Sequence, residues 1–136
     1  QIKFYVANNM SLATALSSDG IYISSKNKDY KYLNYKKFNF KIIGSAHNTR
    51  EIELKKKQGC NCILLSRLFR VSYKPKLRFL GINKFNNFAL KNLKFIVPLG
   101  GIELKNLNKL KNVKAEAFAV MSEIKKKPAK IFSRLF

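Results

Sequence analysis

Short apolar runs alternate along this chain with longer segments whose apolar residues recur at helical spacing. The runs predict strands at residues 3–7, 21–24, 40–45, 63–66, 95–99 and 115–121. Between the first two, residues 11–18 read as a helix with Leu12 and Leu16 on one face, ended by Ser17-Ser18-Asp19-Gly20. Asn48 stands three residues before Glu51, the spacing of a side-chain cap with an acidic first turn. That helix is expected to run to about Gln58 and stop at Gly59. Residues 85–93 resume a helix, and Leu104, Leu107 and Leu110, at i, i+3 and i+6, mark one face of another. A last helix is expected to start near Ser122, break around Pro128 and close on Ile131, Phe132, Leu135 and Phe136. The connection over 67–83, with Pro75 and Gly81, is long and irregular, and such loops are usually functional or mobile.

The strand segments are apolar throughout, not alternating, which is the pattern of parallel strands covered on both faces by helices. The expected class is therefore α/β, one domain over residues 1–136 built from six βα units. A closed (β/α)8 barrel of the TIM type needs eight such units. Gln1 leads directly into the run Phe4-Tyr5-Val6-Ala7, so the sequence is expected to be a fragment, with the first two units missing on the N-terminal side. An open doubly wound sheet is the alternative. Six parallel strands alone leave two edges that have to be covered.

Composition narrows the class further. Apolar residues make up 46% of 136, enough for a packed core. No run approaches the roughly 18 apolar residues that span a membrane, and no signal-peptide pattern opens the chain. A cytoplasmic protein without a membrane is expected. The formal charge of +21 points first to nucleic acid. The cations are mostly lysines in a chain also rich in Asn, Ile, Leu and Phe, the signature of AT-rich coding acting on exposed positions. Lys55-Lys56-Lys57 and Lys125-Lys126-Lys127 each continue a helical segment and read as solvated faces. Nucleic-acid binding is not the expected role, although the charge would concentrate any anionic substrate. Cys60 and Cys62, the two cysteines, lack the four-ligand spacing of structural zinc and read as core thiols.

In a parallel α/β fold the chemistry belongs at the C-terminal ends of the strands. Those positions here are Asn8, Ser25 with Asn27, Ser45 with His47, the stretch from Ser66 to Lys74, Gly100-Gly101, and Met121-Ser122. They are rich in amides, hydroxyls and glycines and poor in carboxylates, which excludes a paired-acid glycosidase. Two strand ends running into Gly100-Gly101 and Ser122 suit a phosphate cradle of main-chain amides. Ser45 could donate to an anion, and Lys74 could reach a phosphate as a point charge. His47, the single histidine, reads either as a structural hydrogen-bonding group or as a general base.

These residues carry a resemblance. Asp19-Gly20-Ile21-Tyr22-Ile23, Gly44-Ser45-Ala46-His47-Asn48, Ser66-x-x-Phe69, Lys74-Pro75, Leu99-Gly100-Gly101-Ile102 with Asn106, and Ala119-Val120-Met121-Ser122-x-Ile124 resemble, in order and spacing, the thiamine phosphate synthase/TenI family. The resemblance implies a (β/α)8 barrel of which this chain supplies the third to eighth strands. It implies thiamine biosynthesis: a hydroxymethylpyrimidine pyrophosphate is joined to a thiazole phosphate while Mg²⁺ holds the departing pyrophosphate. By position, Gly100, Gly101, Met121 and Ser122 would cradle the thiazole phosphate, and Ser45 and Lys74 would contact the pyrophosphate.

The sequence departs from the family at several of these points. The two family aspartates that ligate Mg²⁺ match Asn8 and Asn27, amides that bring no charge to a hard cation, so a weakened Mg²⁺ site is expected. A Thr-x-Thr matches Val71-Ser72-Tyr73, and a glutamine matches Ser25. The histidine of the thiazole tautomerases matches Arg67. The first expectation is a synthase-like protein with thiazole phosphate and pyrimidine pyrophosphate as partners. The second is a TenI-like relative that binds thiazole phosphate without synthase activity, and the third a basic nucleic-acid-associated protein. Assembly as a homo-oligomer is left open.

Overall fold

A computed structural model of the chain describes residues 2–33, 40–73, 76–91 and 96–121. Lys74 and the helix expected from Ser122 onward lie outside the described residues. The elements are β1 (Tyr5–Ala7), α1 (Met10–Ala15), β2 (Gly20–Ile23), β3 (Lys41–Ala46), α2 (Thr49–Lys57), β4 (Cys62–Ser66), α3 (Gly81–Leu90), β5 (Ile96–Leu99) and a 3₁₀ helix (Leu104–Asn112). The strands form one sheet in the order β1-β2-β3-β4-β5. The chain divides into two compact units, Gln1–Leu64 and Leu65–Phe136, with the division falling inside β4.

In the first unit the three leading strands pair in parallel, Tyr5 with Gly20 and Gly20 with Lys41, then Ile21 with Ile42. The isoleucines read as strand cores from their β-branched runs, and Ile21, Ile23, Ile42 and Ile63 are fully buried. Gly20 is the first residue of β2, where the sequence suggested the end of a turn. Asp19 Oδ2 accepts the Phe4 amide at 2.9 Å, so this acid ties the starts of β1 and β2 together. Helix α1 starts one residue earlier than expected and is capped by Asn9 Oδ1, which accepts the Leu12 amide at 3.0 Å. It buries Met10 and Ala13, which leaves Leu12 and Leu16 about half exposed.

Helix α2 follows the sequence closely. Asn48 Oδ1 accepts the Glu51 amide at 3.0 Å, and the helix ends at Gln58 before Gly59, whose φ is 79°. The lysine run at its end is not a uniformly solvated face. Lys56 and Lys57 are exposed, but Lys55 is fully buried. The helical period explains the difference, because Lys55 follows the buried Ile52 by three residues and so lies on the inward face.

In the second unit the chain leaving β4 is stitched to the end of β5: Leu68 donates to the Leu99 carbonyl at 2.9 Å and Phe69 to the Gly100 carbonyl at 3.0 Å. Helix α3 starts at Gly81, four residues before its expected start, and buries Phe85 and Ala89. The segment with Leu104, Leu107 and Leu110 is a 3₁₀ helix. At three residues per turn, side chains at i, i+3 and i+6 stack in a line, so the spacing that suggested an α-helical face fits the tighter helix better. The sixth strand expected over 115–121 is reduced to one parallel bridge between Leu99 and Ala119, with the Ala119 amide donating to the Pro98 carbonyl at 2.9 Å. Pro98 accounts for this. In a parallel ladder the residue that accepts from Ala119 would also donate its own N–H one step back, and proline has none.

Candidate functional site

The first unit collects Asn8, Asn27, Ser45 and His47 at the C-terminal ends of β1, β2 and β3. Asn8 has a φ of 54°, a left-handed conformation that asparagine tolerates better than most residues. Its Oδ1 accepts the Ser24 amide at 3.0 Å and Asn27 Nδ2 at 3.1 Å. Asn27 Nδ2 also donates to the Tyr32 hydroxyl at 3.0 Å, and that hydroxyl donates to the Asn8 carbonyl at 3.1 Å. Asn27 Oδ1 accepts the Asp29 amide at 2.9 Å. Main-chain N–H groups can only donate, so the Ser24 and Asp29 amides fix the orientation of both side-chain amides.

A second set of bonds holds this loop from behind. Lys55 Nζ donates at 2.8 Å to both the Asn27 carbonyl and Gln58 Oε1. Gln58 Nε2 donates to the Asn27 carbonyl at 3.1 Å and the Asp29 carbonyl at 2.8 Å. Burial pushes the Lys55 ammonium below the usual lysine value, partly countered by Cys60 and Glu51. The Lys55 stem passes beside Gly44, where a side chain would meet it and the Cys60 sulfur. Burial also pushes the Cys60 thiol up to about 11, the behaviour of a core thiol and not of a nucleophile.

Ser45 is buried at the end of β3, next to that packing. His47 is exposed and belongs to the α2 cap: its main-chain amide and its Nδ1 both meet Glu51 Oε2, at 2.8 and 3.0 Å. Burial pushes the Glu51 carboxyl up, but the bonds and charge from His47 and the bond from Asn48 outweigh it and leave the acid below its usual range.

The residues present do not fit Mg²⁺. Both acceptor directions of Asn8 Oδ1 are taken by N–H donors, and one of the two on Asn27 Oδ1 is taken by the Asp29 amide. The Asp29 carboxylate is engaged by Lys31 through both its main-chain amide and its Nζ, each at 2.9 Å. Mg²⁺ asks for hard, anionic oxygens in octahedral array. Among the described residues no group of three or more His, Cys, Asp or Glu side chains could hold a metal.

The second unit carries Arg67, Gly100, Gly101 and Met121; Lys74 and Ser122 lie outside the described residues. Gly100 and Gly101 have φ of 95° and 70°. The reason for Gly101 is close main-chain approach: a Cβ there would stand 2.5 Å from the Phe69 carbonyl oxygen and 2.6 Å from that of Arg70. The Asn106 side chain donates to the Gly101 carbonyl at 2.7 Å, and Asn106 also accepts the Glu103 amide at 2.9 Å, so the turn's shape is locked by the start of the 3₁₀ helix. The Arg67 side chain lies over Gly100, and its Nη1 is buried without a hydrogen-bond partner among the described residues. Met121 is exposed. The parallel bridge at Leu99 and Ala119 sets the Gly100-Gly101 turn beside the stretch that leads to Met121.

Tyr32, Lys55 and Gln58 were not legible as site-supporting residues. A signal did exist for two of them, since Ile52, Lys55 and Gln58 succeed one another at three-residue steps on one side of α2. Tyr32 carried none.

Comparison with known proteins adds an independent line. The family described as thiamine monophosphate synthase matches residues 1–124. A thiamine-phosphate synthase of Prochlorococcus marinus is 32% identical over 122 residues, covering 89% of this chain and 35% of the relative. One of Picrophilus torridus is 29% identical over 125 residues, covering 90% of this chain and 60% of the relative. The chain thus spans less than two thirds of the length of either. Among solved structures, a thiamine phosphate pyrophosphorylase from Pyrococcus furiosus superposes with a TM-score of 0.67 at 18% identity, over 96% of this chain and 66% of that one. At that identity the likeness establishes the fold, of the (β/α)-barrel type.

Proposed function

Because this chain belongs to the thiamine monophosphate synthase family, we propose that it is synthase-like, with the paired-glycine turn holding a thiazole phosphate for joining to a hydroxymethylpyrimidine pyrophosphate. The observation that carries the reading is the parallel bridge between Leu99 and Ala119. It sets two successive strand ends side by side, Gly100-Gly101 on one and Val120-Met121 on the other. Convergent main-chain amides at such paired ends suit a phosphate group. Arg67 strengthens the case for an anion, since its buried guanidinium nitrogen, without a partner among the described residues, calls for an acceptor.

A second reading, a thiazole phosphate-binding relative without synthase activity, is favoured by the amides at Asn8 and Asn27. Pyrophosphate departure requires fixed positive charge where negative charge develops. Asn8 and Asn27 offer no carboxylates for a cation that would supply it.

The two readings share a test. The chain is titrated with thiazole phosphate while its unfolding is followed. Ligand at a hundred times its dissociation constant is expected to stabilise by about 2.7 kcal/mol. No shift at millimolar ligand would remove both readings. Given a shift, adding the pyrimidine pyrophosphate with Mg²⁺ and assaying for thiamine phosphate separates them: product formation selects the synthase, and its absence selects the binder.

A further inference from the structure

We propose that Asn8, Asn27 and Tyr32, backed by Lys55 and Gln58, form a metal-free clasp that orders the loop after β2, the place where the family reading expects a divalent cation to be held. Two carboxylates at positions 8 and 27 would repel each other and need a cation between them. Two amides have no such need, because the N–H₂ of one can meet the oxygen of the other. That bond is the one between Asn27 Nδ2 and Asn8 Oδ1 at 3.1 Å. Tyr32, buried with its hydroxyl between Asn27 Nδ2 and the Asn8 carbonyl, closes the ring.

The loop is pinned at its main chain as well. Lys55 Nζ and Gln58 Nε2 converge on the Asn27 carbonyl, and Gln58 reaches on to Asp29. A buried ammonium on this carbonyl opposes any second cation arriving beside it, so the same group that fastens the loop also disfavours a divalent ion. The clasp therefore orders residues 24–33 by the chain's own donors and acceptors, with the positive charge supplied by Lys55.

The clasp has a polarity that a mere loss of metal ligands would not have. Asn8 acts through its oxygen, as an acceptor from Ser24 and Asn27. Asn27 acts through its Nδ2, as a donor to Asn8 and Tyr32. Asn8→Asp keeps every bond, since a carboxylate accepts from both donors and aspartate also tolerates the left-handed backbone. Asn27→Asp deletes the donor and sets an anion against the Asn8 oxygen.

Residue-resolved hydrogen exchange of the full chain, without any phosphorylated ligand, tests this. The Ser24 amide, which donates to Asn8 Oδ1, is the reporter, and the α2 amides serve as a control for folding. In the unsubstituted chain its exchange is expected to be the same in EDTA and in millimolar Mg²⁺. In EDTA, Asn27→Asp is expected to speed it about tenfold while Asn8→Asp leaves it unchanged. Protection that rises several-fold on adding Mg²⁺ to the unsubstituted chain would overturn the proposal. So would equal behaviour of the two variants in EDTA. Should Asn27→Asp also lose the α2 protection, Tyr32→Phe replaces it: the faster Ser24 exchange is expected there too, and an unchanged rate counts against the clasp. Failure here leaves the thiazole phosphate reading standing, because no ligand enters the measurement.

Discussion

Gly101→Ala is expected to lower the unfolding free energy by on the order of 2–5 kcal/mol. Two costs combine. An alanine held at a φ of 70° occupies the left-handed region at a penalty of about 1–2 kcal/mol. Its Cβ would also press on the carbonyl oxygens of Phe69 and Arg70, at 2.5 and 2.6 Å. These are main-chain atoms with no rotamer to change, and overpacking of this kind costs roughly 1–3 kcal/mol. Against a typical total of about 5–15 kcal/mol, the loss is large. Urea denaturation reads it as a fall in midpoint at unchanged slope. A loss below about 1 kcal/mol would mean that the turn relaxes and that the close approach is not what requires glycine. Gly101 is therefore a poor position for probing phosphate binding, since a damaged fold and a damaged cradle would give the same readout.

Phe85→Ala is expected to cost about 3–5 kcal/mol, the range for emptying a fully buried aromatic position. Phe85 is the largest side chain that α3 buries, on the same face as Ala89, so nothing else on that helix can fill the space. Phe85→Leu keeps most of the volume and is expected to lose less than half as much. Denaturation of the two variants side by side checks this. Equal losses would show that the aliphatic volume of leucine recovers nothing and that the site requires the shape of the aromatic ring itself.

What could be read from the chain alone was local. Asn48, Glu51 and Gly59 specify α2 almost to the residue, because a cap and a left-handed stop act within one turn. The isoleucine runs specify the parallel strands, because burial on both faces leaves no polar alternation. What could not be read depends on partners far along the chain. Lys55 sits in a run of three lysines, and only the inward phase set by Ile52 separates it from its solvated neighbours. Tyr32 finds Asn8 and Asn27 across 24 and 5 positions, and no spacing announces that. The expected sixth strand failed for a reason that was visible, Pro98, whose missing donor mattered only once Ala119 was known to lie beside it. At the candidate site the glycines were legible as a turn, but the main-chain crowding that requires Gly101 was not.

The division of labour between Asn8 and Asn27 also restricts history. Starting from an aspartate at each position, replacing the second one first gives a neighbouring carboxylate and amide that attract each other. Replacing the first one first leaves two oxygens face to face with no proton between them. The clasp proposed above therefore sets an order: a chain with one aspartate and one asparagine at these two positions should carry the aspartate at position 8 and the asparagine at position 27.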